Sequence, residues 1–254
     1  MPTEVSFAIP TLLGFLMVLT RISAAMVFVP MPGAKGVTDM AKVTFCLFTT
    51  FALFPFWPSV NGITMGQLAG WIALEAAFGL TVGLSVAFLS EAFTLGAQII
   101  GLQAGYSYAS TVDPMSQNDT TVLQTMMQLM AGLLFFAAGL DRYVVRVFAR
   151  SLEVFPPGQF RITEPILMTV QNLGSILFAT GLRLALPVVA LLLLIDISLA
   201  LLGRVNSQLQ LLSLAFPIKM LGALAALAAT VAVFPAVYEK AVQQMMFSLT
   251  QVLR

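Results

Sequence analysis

The chain has 254 residues, of which 59% are hydrophobic and 9% charged, and its formal net charge is +1. Soluble domains carry about 25% charged residues, so this composition excludes an ordinary water-soluble globule, and the surplus apolar surface must meet lipid or other polypeptides. The near-neutral balance says nothing about nucleic acid, and no basic run suggests a phosphate-binding face. The lack of any histidine removes imidazole bases, Ser–His and Cys–His nucleophile systems and nearly all zinc or haem sites.

A helix needs about 20 apolar residues to cross the hydrocarbon core. Runs suited to that cover 5–29, 43–60, 66–90, 92–112, 120–140, 165–203 and 209–238. The first follows a start with Glu4 and no basic residue. It is also too long for a signal h-region, so it reads as a retained span, with Arg21 inside it. The second holds Cys46, the lone cysteine, which reads as a small buried hydrophobe. The third holds Glu75 and meets the fourth at Glu91, with no turn residue between them.

The fourth run is the most unusual. Gly101 and Gly105 are spaced GxxxG, which lets a second helix backbone approach closely. Around them stand Gln98, Gln103, Tyr106, Ser107, Tyr108 and Ser110. These polar groups are costly in lipid and read as buried in protein or lining a wet lumen. Asp113-Pro114 is expected to stop this helix, because a residue before proline avoids the α region. Met115, Met126, Met127 and Met130 then serve as flexible packing or as a deformable seal.

The longest polar connection, 141–164, places Arg142, Arg146 and Arg150 four apart. One face of an interfacial helix results, ended by Pro156-Pro157-Gly158. The sixth run contains Arg183, Pro187 and Asp196, and the seventh contains Lys219. Proline inside the sixth predicts a kink or two shorter pieces. The basic connections hold Lys35, Lys42, Arg142, Arg146, Arg150 and Arg161, which sets them in the cytoplasm. Seven crossings then run from an outer N-terminus to an inner C-terminus.

Arg21, Glu75, Arg183, Asp196 and Lys219 all lie within apolar runs. Each costs at least about 2.5–3.5 kcal/mol at the bilayer centre. They must pair, contact other subunits, or line a wet cavity. Two functions stay open on these grounds: a channel subunit completed by partners, or a secondary transporter of a small solute that uses these charges. No catalytic, cofactor-binding or metal-binding residue is assigned, and an enzyme is not expected.

The stretch GAQIIGLQAGYSYASTVDP, residues 96–114, resembles the FliR family of flagellar biosynthesis and type III secretion proteins, in wording closer to the flagellar branch. Arg21 with Pro30 and the Lys35–Lys42 loop is similar to that family's first hairpin. Glu75 with Gly79 and Gly83 is similar to its third segment, and LRLALPVVALLLLIDISLALLGRVNSQLQLLSLAFPIKM, residues 182–220, to its C-terminal block. The resemblance implies one all-α export-gate domain over 1–254. This would be a polytopic membrane protein of kinked helices and helical hairpins, acting as a subunit of a helical assembly. The implied partners are FliP-like and FliQ-like subunits, FlhB- and FlhA-like proteins, unfolded export substrates and lipid. The implied place is the bacterial inner membrane at the flagellar basal body. Ser110, Thr111, Val112, Asp113, Pro114 and Met115 are implied to plug the closed pore.

Overall fold

A computed structural model describes residues 9–29, 39–57, 64–106, 122–161, 164–205 and 211–252. Among them the chain is all-α, with eight α-helices and two short 3-10 turns. They are α1 (Ile9–Met26), α2 (Asp39–Ala52), α3 (Met65–Ala104), α4 (Val122–Ala137), α5 (Leu140–Val154), α6 (Glu164–Val205), α7 (Leu211–Thr230) and α8 (Phe234–Val252). The 3-10 turns, Phe54–Phe56 and Val231–Val233, follow α2 and join α7 to α8.

The polytopic character stands, but the seven runs do not become seven spans. Runs 66–90 and 92–112 are one 40-residue helix, α3. Glu91 is an exposed residue within it rather than a boundary. A single charge without glycine or proline has no means of breaking a helix. The sixth run stays whole as the 42-residue α6, with Pro187 inside it. Among the described residues, three helices can cross a membrane by length and apolar composition: α3, most of α6, and the stretch Leu214–Thr250. The α4–α5 pair, bent by 61° at its break, makes a fourth if counted as one broken span. A count of three keeps the odd parity used for orientation, and a count of four reverses it. At 1.5 Å per residue α3 and α6 are each about 60 Å long, twice the roughly 30 Å hydrocarbon core.

Two compact units divide the chain. One comprises Met1–Phe88, Phe135–Gly174 and Met245–Arg254; the other comprises Leu89–Leu134 and Ser175–Gln244. In the first, α1 and α2 form a hairpin closed by Phe15, Phe51, Phe54 and Trp57, whose rings lie 5.0–5.9 Å apart. The Trp57 indole N–H donates to the Thr50 carbonyl at 3.0 Å, so its polar edge is satisfied in an apolar setting. Helix α5 is amphipathic, as its arginine spacing suggests. Leu140, Val144, Val147, Phe148 and Leu152 are buried, while Arg142, Arg146 and Arg150 are exposed.

In the second unit α3 and α6 cross where small residues meet. A Cβ on Gly96 would touch the Gly181 carbonyl at 3.2 Å, and one on Gly181 would meet the Ala92 carbonyl at 3.0 Å. Phe93 of α3 packs edge-on against Phe234 and Tyr238 of α8, at 6.0 and 5.6 Å. α7 returns alongside α6, with Gly222 set against Ile195.

Candidate functional site

In the first unit the side chains of Arg21 and Glu75 have no exposed surface, and their Nε and Oε2 lie 2.5 Å apart. Residues from α1, α3, α5 and the turn after α5 converge on this pair. Arg21 Nη1 donates to Ser151 Oγ at 2.9 Å, and Nη2 donates to the Phe155 carbonyl at 3.0 Å. The Ser151 hydroxyl passes its own proton to the Phe148 carbonyl at 2.8 Å. Beneath the guanidinium carbon lies the Phe78 ring, 4.8 Å to its centroid, a cation–π contact.

Glu75 uses its other oxygen to accept the Gly158 N–H at 2.9 Å. The local sequence explains why that donor is available. Gln159 N–H closes a turn on the Pro156 carbonyl at 3.0 Å, with Gly158 at φ +89°. Proline second and a left-handed glycine third make a type II turn. Its peptide N–H points toward the carboxylate. Trp71 fills the glycine's open side, since a Cβ there would sit 2.5 Å from the ring. A buried charge pair is tolerated only when its remaining donors and acceptors are also met. Here they are.

Close helix approach brings the pair together. A Cβ added to Gly79 would run into the Arg21 carbonyl and lie 3.0 Å from Ala24 Cβ. One added to Gly83 would run into the Ala25 carbonyl and lie 2.9 Å from Ala25 Cα. Small residues at this spacing let two backbones touch. The sequence flagged Arg21 and Glu75 separately; Ser151 and the Gly158 N–H carried no comparable signal.

The second unit holds a looser cluster. Lys219 Nζ lies 3.0 Å from Asp196 Oδ1, with side chains 18% and 38% exposed. Gln103 Nε2 donates to Asp196 Oδ2 at 3.0 Å, joining α3, α6 and α7. Tyr106 donates its phenol proton to the Met220 carbonyl at 3.1 Å. An ion pair this exposed contributes at most about 1 kcal/mol. Arg183 joins neither cluster; it is exposed, and no ion pair reaches it among the described residues.

Gly105 corrects an expectation. Helix α3 ends at Ala104, well before Asp113-Pro114, and Gly105 follows it at φ +87°. Tyr106 N–H reaches back to the Gly101 carbonyl at 2.9 Å, and Gly105 N–H to Leu102 at 3.3 Å. This is the Schellman pattern of a helix terminus. Gly105 is thus a stop signal for α3. A Cβ on it would also lie 2.9 Å from the Phe216 ring. Gly105→Val is expected to lower the melting temperature of the purified protein more than Gly105→Asn, because asparagine tolerates left-handed backbone. Equal losses would rule out the terminator role. The plug residues Ser110 to Met115 lie outside the described residues.

Among the described residues no three Asp, Glu, Cys or His side chains are grouped as a metal site. What the two clusters can do chemically is fix helices, since their polar atoms are spent on one another.

A family model for bacterial export proteins, family 1, matches residues 12–245. The chain belongs to that family. Among curated relatives of this export family member, the flagellar biosynthetic protein FliR of Escherichia coli K12 is 29% identical over 80% of this chain and 78% of its own length. FliR of Caulobacter vibrioides is 24% identical over 84% and 86%, and FliR of Bacillus subtilis 23% over 82% of each. The FliR resemblance read from residues 96–114 and 182–220 is therefore supported along most of the chain, and the export protein is a membrane protein by its long apolar helices.

Proposed function

We propose that this chain is a channel subunit of the flagellar type III export gate and helps pass unfolded flagellar proteins across the bacterial inner membrane at the basal body. The family match over 12–245 carries the reading, and the FliR names of its relatives direct it to the flagellum. Its partners are FliP-like and FliQ-like subunits, with FlhB- and FlhA-like proteins nearby. Many large apolar side chains are exposed, Leu194 at 65% and Leu201 at 60% among them, as suits a chain completed by neighbours. We read it as a structural component of the export apparatus and not as an enzyme, in keeping with the family match and the names of its relatives.

The solute-transporter alternative asks for intramembrane charges that bind and release a ligand. Arg21 and Glu75 are committed to each other and to three further hydrogen bonds. The export reading is the one that the comparisons favour.

The test is a deletion strain with co-expression. Deletion is expected to abolish swimming and secretion of flagellar proteins, and the tagged chain to purify with FliP- and FliQ-like subunits. A stable lone protein that takes up solute in liposomes, with swimming intact in the deletion strain, would overturn the proposal. Residues 110–115 act in this scheme as the closing plug. A chain lacking 110–118 should still assemble but leak ions.

A further inference from the structure

The hairpin of α1 and α2 is closed by rings at one end and grooved along the rest. Phe15, Phe51 and Trp57 fill the closed end. From the next turn a groove of about 490 Å³ runs between the helices, a volume in the range of about 300–1,000 Å³ that holds small ligands. It starts at Leu19 and Leu47, beside the rings, and ends at Val27 and Lys42. The rise of α1 from Leu19 to Val27 is about 12 Å, which leaves a mean cross-section of roughly 40 Å². A helix with its side chains is about 10–12 Å across and needs at least twice that area.

The groove is oily with one charge at its mouth. Met26 and Cys46 are buried in its floor, while Val27 and Val43 form an exposed rim. Ser23 spends its hydroxyl proton on the Thr20 carbonyl at 3.2 Å. Lys42 is half-buried, with its stem against this wall, and belongs to neither ion pair among the described residues. Outside the groove α2 exposes Met40, Phe45, Phe48 and Phe51. Such a face suits hydrocarbon or protein better than water, so an occupant enters from the side.

We propose that the α1–α2 groove binds one anionic phospholipid, with an acyl chain between the helices and its phosphate on the Lys42 ammonium. The order of groups along the groove is that of the lipid: a cation at the open end and an apolar wall behind it. A peptide strand would carry backbone N–H and C=O groups into that wall, where they would lack partners. An acyl chain carries none. A zwitterionic head brings its own ammonium, which competes with Lys42 for the phosphate, so an anionic head is favoured. Only membrane residence is needed for this, which makes it separable from the export role.

Native mass spectrometry of the full chain, purified in mild detergent with its accompanying subunits, tests the site. With phosphatidylglycerol and phosphatidylethanolamine added equally, one phosphatidylglycerol should be retained per chain, at least fivefold over the zwitterionic lipid. Lys42→Gln should lower that retention at least fivefold and remove the preference, whereas Lys42→Arg should keep both. Lys240→Gln, at an exposed cation on α8, should change nothing. Many lipids held without preference, or a preference that survives Lys42→Gln, would overturn the proposal.

A photo-reactive residue in place of Val43, in the intact membrane, supplies the second arm. It leaves Lys42 in place, so it decides the matter even if the glutamine variant folds poorly. The expected product is a phospholipid adduct of this chain. Adducts confined to a peptide of another subunit, or to this same chain, would show that protein fills the groove and would defeat the idea. Either result leaves the export function to be judged by swimming and by co-purification of FliP- and FliQ-like subunits.

Discussion

Replacing Arg21 by leucine is expected to destabilise the protein by about 3–5 kcal/mol, the cost of leaving one partner of a buried pair uncompensated. Glu75, Ser151 and the Phe155 carbonyl all lose their common partner in this variant. Glu75→Leu should be about as damaging, because it strands the guanidinium against Phe78. The informative variant is the double replacement, Arg21→Met with Glu75→Leu. With no stranded charge, it should recover much of the loss, as apolar substitutes for buried pairs often do. Thermal unfolding of the detergent-solubilised protein measures all three. If the double variant unfolds as readily as the singles, the charges matter for something other than packing.

The second large effect is expected at the α1–α3 crossing. Gly79→Ala and Gly83→Ala each put a methyl group into the backbone of α1, at the Arg21 and Ala25 carbonyls. Backbone cannot step aside as a flexible side chain can, so each should cost at least about 1–3 kcal/mol and pull Arg21 off Glu75. Swimming should be lost in both variants. Gly66 and Gly70, on the same helix, have no atom within 4 Å of an added Cβ. There alanine should be neutral or should stabilise the helix by up to about 1 kcal/mol. Similar defects at all four glycines would disprove a contact-specific role.

These two sites show how far the sequence could be read. A lone Arg21 and a lone Glu75 in oil demanded partners, but 54 residues separate them and nothing local marked them as each other's. Their neighbours were harder still. Ser151 is a small hydroxyl on the buried side of α5, and Gly158 contributes a peptide N–H that every residue but proline possesses. Asp196 and Lys219 were both noticed, and their pairing follows from a helical hairpin that hydropathy alone does not specify.

Gly105 has a helix-terminating role that its spacing did not reveal. Glycine serves close packing and left-handed backbone equally well, and a GxxxG count cannot tell them apart. The cue was downstream, in the polar Tyr106-Ser107-Tyr108 that follows. Serines and threonines carry a related ambiguity. Thr81 and Ser85 donate to the Ala77 and Thr81 carbonyls at 2.9 and 2.6 Å, and Thr49 and Thr50 do the same on α2. Such i−4 bonds let a hydroxyl satisfy itself inside an apolar helix. Polar letters in these segments therefore do not by themselves signal water.

The Arg21 hub also sets a timetable for biosynthesis. The guanidinium leaves the ribosome 54 residues ahead of Glu75 and 130 ahead of Ser151. At bacterial translation speeds of about 5–20 residues per second, those intervals are roughly 3–11 s and 7–26 s. Throughout them the nascent first helix holds a cation that its own chain cannot yet neutralise. Final packing of that helix must wait for the middle of the polypeptide, or be chaperoned until it arrives.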